Sequence, residues 1–318
     1  MLGMERNYSF DRMIRRLQNR IAESRMALPV TLTYLAAFMV IQVLLGHDTW
    51  LQMALLAVSS VLMAELNNAN ALIRIYSRMV SCSFIVMTTA ANFLLSSTNA
   101  GWAQMGLIVF FIFLLHAYQD GRAAGWVFYA FATLSLASIP FVHILYLVPL
   151  LWIILATNIM ALSPRTFLAS LLGLMVPYWF IGAYAIVFQH LDWLSSHFAA
   201  LAHPGNVFEL TVIDDHQALT FIFLMILAAL GSVHFLMFSY QDKIRTRMIY
   251  EMFITLSFCC LLMMLVFPTL FNGFMSLAIV VIAPLIGHFL ALTHSRVSNI
   301  VFFVIIAVAL LLTIYNLL

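Results

Sequence analysis

The placement of the charged residues is the feature that most constrains what this chain can fold into. Only 8% of the residues are charged, whereas about a quarter of the residues of a soluble domain usually are. A chain so poor in charge cannot cover a surface that faces water, so most of its surface must face lipid. Six stretches contain no Asp, Glu, Lys or Arg, and they are residues 79–119, 123–164, 166–191, 216–241, 252–295 and 297–318.

A helix that crosses a membrane needs about 20 apolar residues. Three of the charge-free stretches are long enough for two such helices, and each contains a break, at 96–101, at Pro140 and at 268–273. Residues 28–47 and 49–64 add two more apolar stretches. The pattern therefore predicts an all-α fold, a polytopic transmembrane helix bundle of about 11 spans. The predicted spans are 28–45, 50–66, 79–95, 104–118, 124–141, 143–162, 166–189, 217–238, 249–267, 271–292 and 298–317.

The basic residues predict which way the bundle faces, because cytoplasmic loops of membrane proteins are enriched in Lys and Arg. With the N-terminus in the cytoplasm, all 14 Lys and Arg fall on the cytoplasmic side of the predicted spans, and the C-terminus lies outside. This distribution predicts a multi-pass protein of the bacterial inner (cytoplasmic) membrane. The basic residues are Arg6, Arg12, Arg15, Arg16, Arg20, Arg25, Arg74, Arg78, Arg122, Arg165, Lys243, Arg245, Arg247 and Arg296.

The N-terminal region differs in character from the rest of the chain. In residues 1–27, apolar side chains recur at helical spacing on one face, and arginines fill the other face. This pattern predicts a basic amphipathic helix on the cytoplasmic membrane surface. Its apolar side consists of Phe10, Met13, Ile14, Leu17 and Ile21. The alternative is a docking site for a cytoplasmic protein partner. Residues 28–318 are predicted to form a single transmembrane helical domain.

One predicted external loop, near residues 190–216, is long enough to hold an outward-facing site. It contains four histidines and four carboxylates and no Lys or Arg. These side chains are His190, Asp192, His197, His203, Glu209, Asp214, Asp215 and His216.

Histidine and carboxylate side chains suit a divalent metal such as zinc or manganese. The candidate metal ligands are His190, His197 and His203, although their spacing matches no metal-binding motif, and no other cofactor is predicted. The candidates for acid–base catalysis are Asp214, Asp215 and His216. Two alternatives are open for this loop. It can form an interfacial helix with its aromatic side chains at the lipid headgroups, or its histidines can sense pH.

Two of the predicted spans contain a proline away from their ends. Pro177 and Tyr178 lie in the seventh span, and Pro284 and His288 lie in the tenth. Spans interrupted by Pro or Gly mark binding sites in transporters, so these four residues are candidates for a substrate path. Proline kinks also occur in membrane helices that bind nothing. The spans show no central carboxylate, which argues against an ion-coupled transporter.

Two segments of the chain resemble a known family. Residues 161–165 read Ala-Leu-Ser-Pro-Arg, and residues 172–179 read Leu-Gly-Leu-Met-Val-Pro-Tyr-Trp. This arrangement, a span that ends at a Pro-basic turn followed by a span with Gly and Pro, resembles an uncharacterised family of Bacteroidetes multi-pass inner-membrane proteins. The order of hairpins and the length are also similar. The resemblance implies a class of membrane protein and no site residues.

Three functions fit these features. The first is a transporter or lipid-handling protein of the cell envelope, with membrane lipid as its partner. The second is a glycan- or lipid-modifying enzyme that uses the 190–216 loop, so whether the protein is an enzyme stays open. The third is a non-catalytic membrane subunit that docks a protein partner at its cytoplasmic face. No nucleic-acid partner is expected.

Overall fold

The computed structural model of the protein describes residues 17–46, 50–189, 191–293 and 295–317. All regular structure in these residues is helical. The α-helices, in chain order, are α1 (Leu17–Ala22), α2 (Ala27–Leu44), α3 (Trp50–Asn70), α4 (Met79–Ala90), α5 (Thr98–Leu114), α6 (Ala124–Ser138), α7 (Val148–Thr157), α8 (Pro164–Val187), α9 (Leu191–Ala202), α10 (Asp215–Phe238), α11 (Ile244–Val266), α12 (Phe271–Leu292) and α13 (Arg296–Tyr315).

Eight of the described helices are long and apolar enough to cross a membrane, namely α2, α3, α5, α8, α10, α11, α12 and α13. The protein is therefore an integral membrane protein. The other predicted spans fall on shorter apolar helices, because two breaks shorten them. A 3-10 helix over Asn92–Ser96 follows α4, and one over Val142–Leu147 precedes α7. The count of about 11 spans and the orientation in the membrane stay predictions.

Hydrogen bonds between loops and helix ends divide the helix ends into two sets. In the first set, the guanidinium group of Arg245 donates to the side chain of Asn70 at 2.9 Å and to the backbone carbonyl of Leu115 at 3.1 Å. These bonds join the start of α11 to the ends of α3 and α5. We call this set of helix ends the basic end, because every described Lys and Arg lies in its loops or in the adjacent helix turns.

The opposite end is joined by a second group of hydrogen bonds. The side-chain amide of Asn316 donates to the carbonyl of Ala90 at 2.6 Å, which links the ends of α13 and α4. The amide of Phe208 donates to the carbonyl of Val266 at 3.0 Å, which holds the loop after α9 against the end of α11. Helices α3 and α5 thus both end at the basic end, and the shorter α4, which ends at the opposite end, runs back between them.

Helix α12 lies at the centre of the bundle, with every residue from Phe274 to Leu292 buried. It packs against α4, α5, α10 and α11. Gly287 permits the close approach to α4, because a Cβ atom at this position would lie 2.9 Å from the backbone nitrogen of Val80. A helix that is apolar on all sides suits such an enclosed position.

The short helix α1 is attached to the basic end of this central helix. Gln18 and Asn19 are almost fully buried, whereas Leu17 and Ile21 are exposed. Residues 1–16, including Phe10, Met13 and Ile14 of the predicted amphipathic helix, lie outside the described residues. The surface helix therefore stays a prediction there, and α1 turns Gln18, Asn19 and Ala22 toward the protein.

Candidate functional site

A cavity of about 430 Å³ lies between α2 and α13 and extends from the basic end past the middle of the bundle. Residues of α4, α10 and α12 form its back wall, and residues of α1 and the following turn form part of its rim. The lining is almost entirely apolar, and its main contributors are Ile21, Val30, Val86, Met87, Leu227, Ile286, Leu290, Phe302, Ile306 and Leu310.

Most polar atoms along this cavity are already bonded within the protein. The hydroxyl of Thr31 donates to the carbonyl of Leu28 at 2.9 Å, and the hydroxyl of Tyr34 pairs with that of Thr313 at 2.7 Å. Within the described residues, the hydroxyl of Ser83 is buried without a partner. The cavity therefore presents an apolar surface with one free hydroxyl, which suits a hydrocarbon chain better than a polar solute.

Several arginines lie near the end of the cavity that reaches the basic end, although none of them is among its lining residues. Arg20 and Arg25 are exposed on either side of lining residues of α1 and its turn, and Arg296 is exposed at the start of α13. Arg78 lies one turn before the lining residue Cys82. Such a rim favours a negatively charged group at the mouth of the apolar cavity.

A hydrogen-bonded chain at the opposite end brings together residues that the sequence analysis selected separately. The hydroxyl of Tyr178 lies 3.0 Å from Nε2 of His197 and 2.6 Å from the hydroxyl of Ser138. The ring of His197 stacks on Trp193 with centroids 5.1 Å apart. This chain attaches α9 to α8 and α6. Burial, together with the nearby His143, lowers the pKa of His197 below its ordinary value.

A second cavity, of about 330 Å³, lies beside this chain. Its lining includes Pro140, His143, His197, Thr269 and Asn272. Several of these side chains already have partners: Nε2 of His143 contacts the carbonyl of Ala200 at 3.1 Å, and Thr269 donates to the carbonyl of Pro204 at 2.6 Å. This polar cavity and the apolar one share no lining residue.

The three candidate catalytic residues do not converge on one point. Asp214 and Asp215 are exposed at the start of α10, where the backbone nitrogen of Asp214 donates to the side chain of Gln217 at 3.1 Å. Such carboxylates stabilise a helix N-terminus. His216 turns instead toward α13, where its ring stacks on Tyr315 at 4.4 Å. The structure thus offers a structural reason for each residue, and a catalytic role stays a prediction.

The candidate metal ligands are similarly dispersed. Among the described residues, no three His, Cys, Asp or Glu side chains form a group that could hold a metal ion. His197 is part of the chain to Tyr178, and His203 is exposed. His190 lies outside the described residues, so a metal site that includes it stays a prediction.

The two proline-containing spans occupy separate neighbourhoods. Pro177 and Tyr178 lie in α8, which packs mainly against α6 and α9. Pro284 and His288 lie in the central α12. Neither of the two cavities described above is lined by any of these four residues. A single substrate path lined by all four residues stays a prediction, and neither cavity supports it.

The environment of His288 contains a residue that the sequence analysis missed. Nε2 of His288 lies 3.0 Å from a carboxylate oxygen of Asp242, and the two side chains are only 1% and 3% exposed. Asp242 precedes Lys243 in the turn between α10 and α11, so it looked like an ordinary loop residue. The one sequence signal for a buried Asp242 was its position at the end of a span, one residue before a cluster of cations. Asp242 is therefore a buried carboxylate, although it lies in a turn rather than at the centre of a span.

The fold and these sites define a class, an integral membrane protein with a central buried helix and a lateral apolar cavity. No family model, no curated protein and no solved structure matches the chain. The resemblance to the Bacteroidetes inner-membrane family therefore depends on the two segments around Pro164 and Pro177.

Proposed function

We propose that the protein handles membrane lipid, and that it holds one hydrocarbon chain of a lipid in the cavity between α2 and α13. The observation that carries this proposal is the cavity itself, about 430 Å³ of nearly uniform apolar lining within the membrane-spanning part of the bundle. Ligand pockets of this kind usually have volumes of roughly 300–1,000 Å³.

The depth of the cavity supports a lipid that enters from one leaflet. Its lining comes from the basic-end halves of α2 and α12, from most of α4, and from α13 and α10 as far as Leu310 and Phe223, so the cavity runs from the basic end past the middle of the bundle. With the N-terminus in the cytoplasm, these halves belong to the cytoplasmic leaflet of a bacterial inner membrane. The headgroup then lies among Arg20, Arg25, Arg78 and Arg296, and the chain points toward the middle of the bundle.

Filling the cavity tests the proposal. Val86 lines it from α4, and Val86→Trp is expected to remove the lipid that co-purifies with the protein in mild detergent, as measured by native mass spectrometry. Ile153→Trp is the matched control, because Ile153 is 59% exposed on α7 and does not line the cavity. Retention of the same lipid by a folded Val86→Trp variant would contradict the proposal.

A second test uses the unmodified protein. Cys82 lines the cavity, whereas the half-buried Cys259 on α11 does not. We expect added phospholipid to slow maleimide labelling of Cys82 and to leave the labelling of Cys259 unchanged. Equal protection of both thiols would indicate a general effect of the lipid on the membrane domain and would argue against occupancy of the cavity.

A further inference from the structure

We propose that His288, Asp242 and His234 form a proton-binding site at the basic end of α12, and that its protonation controls how this helix is held against the turn between α10 and α11. The pair of His288 and Asp242 is the centre of the site, with 3.0 Å between Nε2 and the carboxylate oxygen. His288 is an ionisable residue buried inside a span, and such residues are costly and by default functional, so its pair with Asp242 needs a role beyond packing.

The groups that face His288 come from four directions. His234 of α10 lies 5.6 Å away between ring centroids, and Tyr250 of α11 lies 4.8 Å away. Asp242 approaches from the α10–α11 turn. From the loop before α4, Arg74 is close enough to influence His234, as Asp242 is. On the remaining side, the backbone at Val80 of α4 lies against Gly287 and contributes no titratable group there.

Polar atoms without a partner are concentrated in this part of the protein. Among the described residues, Nδ1 of His288, Nδ1 of His234, the hydroxyl of Tyr250 and Nε of Arg247 are buried and make no hydrogen bond. Buried polar atoms almost always have partners. The two Nδ1 atoms lie on rings whose centroids are 5.6 Å apart, and each is a position that can take up a proton delivered by water, whereas Nε of Arg247 already carries a hydrogen and can only donate.

The proton balance follows from the geometry. A neutral His288 donates its Nε2 hydrogen to the Asp242 carboxylate, and the pair then carries one negative charge. Nδ1 of His288 then takes up a proton from the aqueous solution at the basic end. His288 and Asp242 together, now an imidazolium beside a carboxylate, carry no net charge. Enclosure favours the state without net charge. The neighbouring His234 does not take up a second proton at the same time, because two adjacent imidazolium groups repel each other.

The position of His288 connects this site to the apolar cavity. Ile286 and Leu290 line the cavity, and they lie four residues apart on one face of α12, whereas His288, between them, faces the other side. A shift of this turn toward or away from Asp242 therefore changes the cavity wall. This last step depends on the proposed lipid function, but proton binding itself does not.

The test is the pH dependence of thermal unfolding of the full chain in lipid-free detergent, between about pH 5 and pH 8 where histidines titrate. We expect His288→Gln and Asp242→Asn to reduce the change in Tm across this range by the same amount. His116→Gln is the control, because His116 is exposed at the same end of the bundle, and it is expected to leave the profile unchanged. A wild-type profile in both folded His288 and Asp242 variants would overturn the proposal.

If neither variant folds, the unmodified protein supplies the answer. Hydrogen–deuterium exchange at Cε1 of histidine, followed by mass spectrometry, reports the titration of His288 directly. A sigmoidal dependence of its exchange rate within the same pH range supports the site, and a constant rate overturns it. The proton-binding proposal and the lipid proposal can be tested separately in Val86→Trp. If this variant loses lipid but keeps the wild-type pH profile of unfolding, proton binding does not depend on lipid binding.

Discussion

The side-chain amide of Gln18 donates a hydrogen bond of 2.8 Å to the backbone carbonyl of Leu290, a residue 272 positions away in the chain. The same amide donates to the hydroxyl of Thr293 at 2.8 Å, and Asn19 donates to the carbonyl of Thr293 at 2.9 Å. Because Leu290 also lines the apolar cavity, the N-terminal helix is attached directly to one of the cavity's walls.

Replacing Gln18 is therefore expected to affect both stability and the cavity. Gln18→Leu leaves the carbonyl of Leu290 without this donor, and the free energy of unfolding should fall by about 1–3 kcal/mol. Maleimide labelling of Cys82 should become faster, because α1 no longer holds its side of the rim. Leu17→Ala, a change at an exposed residue of the same helix that does not line the cavity, should alter neither measurement. Slow labelling of Cys82 in Gln18→Leu would show that α1 does not close the cavity.

Gly173 permits α8 to lie directly against α6. A Cβ atom at this position would lie 2.5 Å from the carbonyl oxygen of Phe128 and 3.0 Å from the nitrogen of Ala132. We expect Gly173→Ala to lower the free energy of unfolding by about 1–3 kcal/mol, because the two helices must separate. Gly125→Ala in α6 is the control, since nothing lies within 4 Å of its added Cβ. Chemical denaturation of both variants makes the comparison.

The attachment of α9 to Tyr178 should depend on pH. The pKa of His197 is lowered from 6.5 by burial and by His143, so the folded state binds a proton less readily than the unfolded state. The contribution of His197 to stability is then present above pH of about 6.5 and is lost as the pH falls below that value. Amide hydrogen exchange in α9, corrected for the intrinsic rate, should increase on acidification. His197→Phe should remove this dependence, whereas His203→Gln, at an exposed position, should retain it.

Asn316 joins three helices at the opposite end of the bundle. Its amide donates to the carbonyl of Ala90 at 2.6 Å and to the hydroxyl of Thr220 at 3.0 Å. Asn316→Leu should lower the free energy of unfolding by about 1–3 kcal/mol, because it leaves the Ala90 carbonyl without this donor. Asn206→Leu removes only an exposed bond to Glu209 and should have an effect within about 0.5 kcal/mol. Equal losses of unfolding free energy in the two variants would show that the Asn316 contacts stabilise the protein no more than an exposed hydrogen bond does.

The membrane class of the fold could be predicted because it depends on composition and on the position of charge. Lys243, Arg245 and Arg247 mark one helix end from the sequence, and the structure places them at the basic end. The lengths of α4 and α7 could not be predicted in the same way. Both belong to apolar stretches that continue past Ala90 and before Val148, and apolar residues alone do not show where an α-helix gives way to a 3-10 turn.

The sites were less accessible to sequence reasoning, since they depend on residues far apart in the chain. His288 was selected for its neighbouring proline and glycine, but its partner Asp242 lies 46 residues away in a turn. The apolar cavity was missed because Val30, Val86 and Ile306 look like any other lipid-facing residues. Its existence depends on how α2 and α13 diverge, which no local pattern reports.

The enclosure of α12 has a consequence for how the protein is made. The segment Pro268–Leu292, which contains this helix, includes 18 residues with a mean hydropathy of 2.3, so it can leave the translocation machinery as an ordinary membrane segment. Yet α4, α5, α10 and α11, the helices that surround it, all precede it in the chain. When ribosomes reach Phe271, these surrounding helices have already been synthesised. The central helix is therefore inserted late, among partners that have already been delivered to the bilayer.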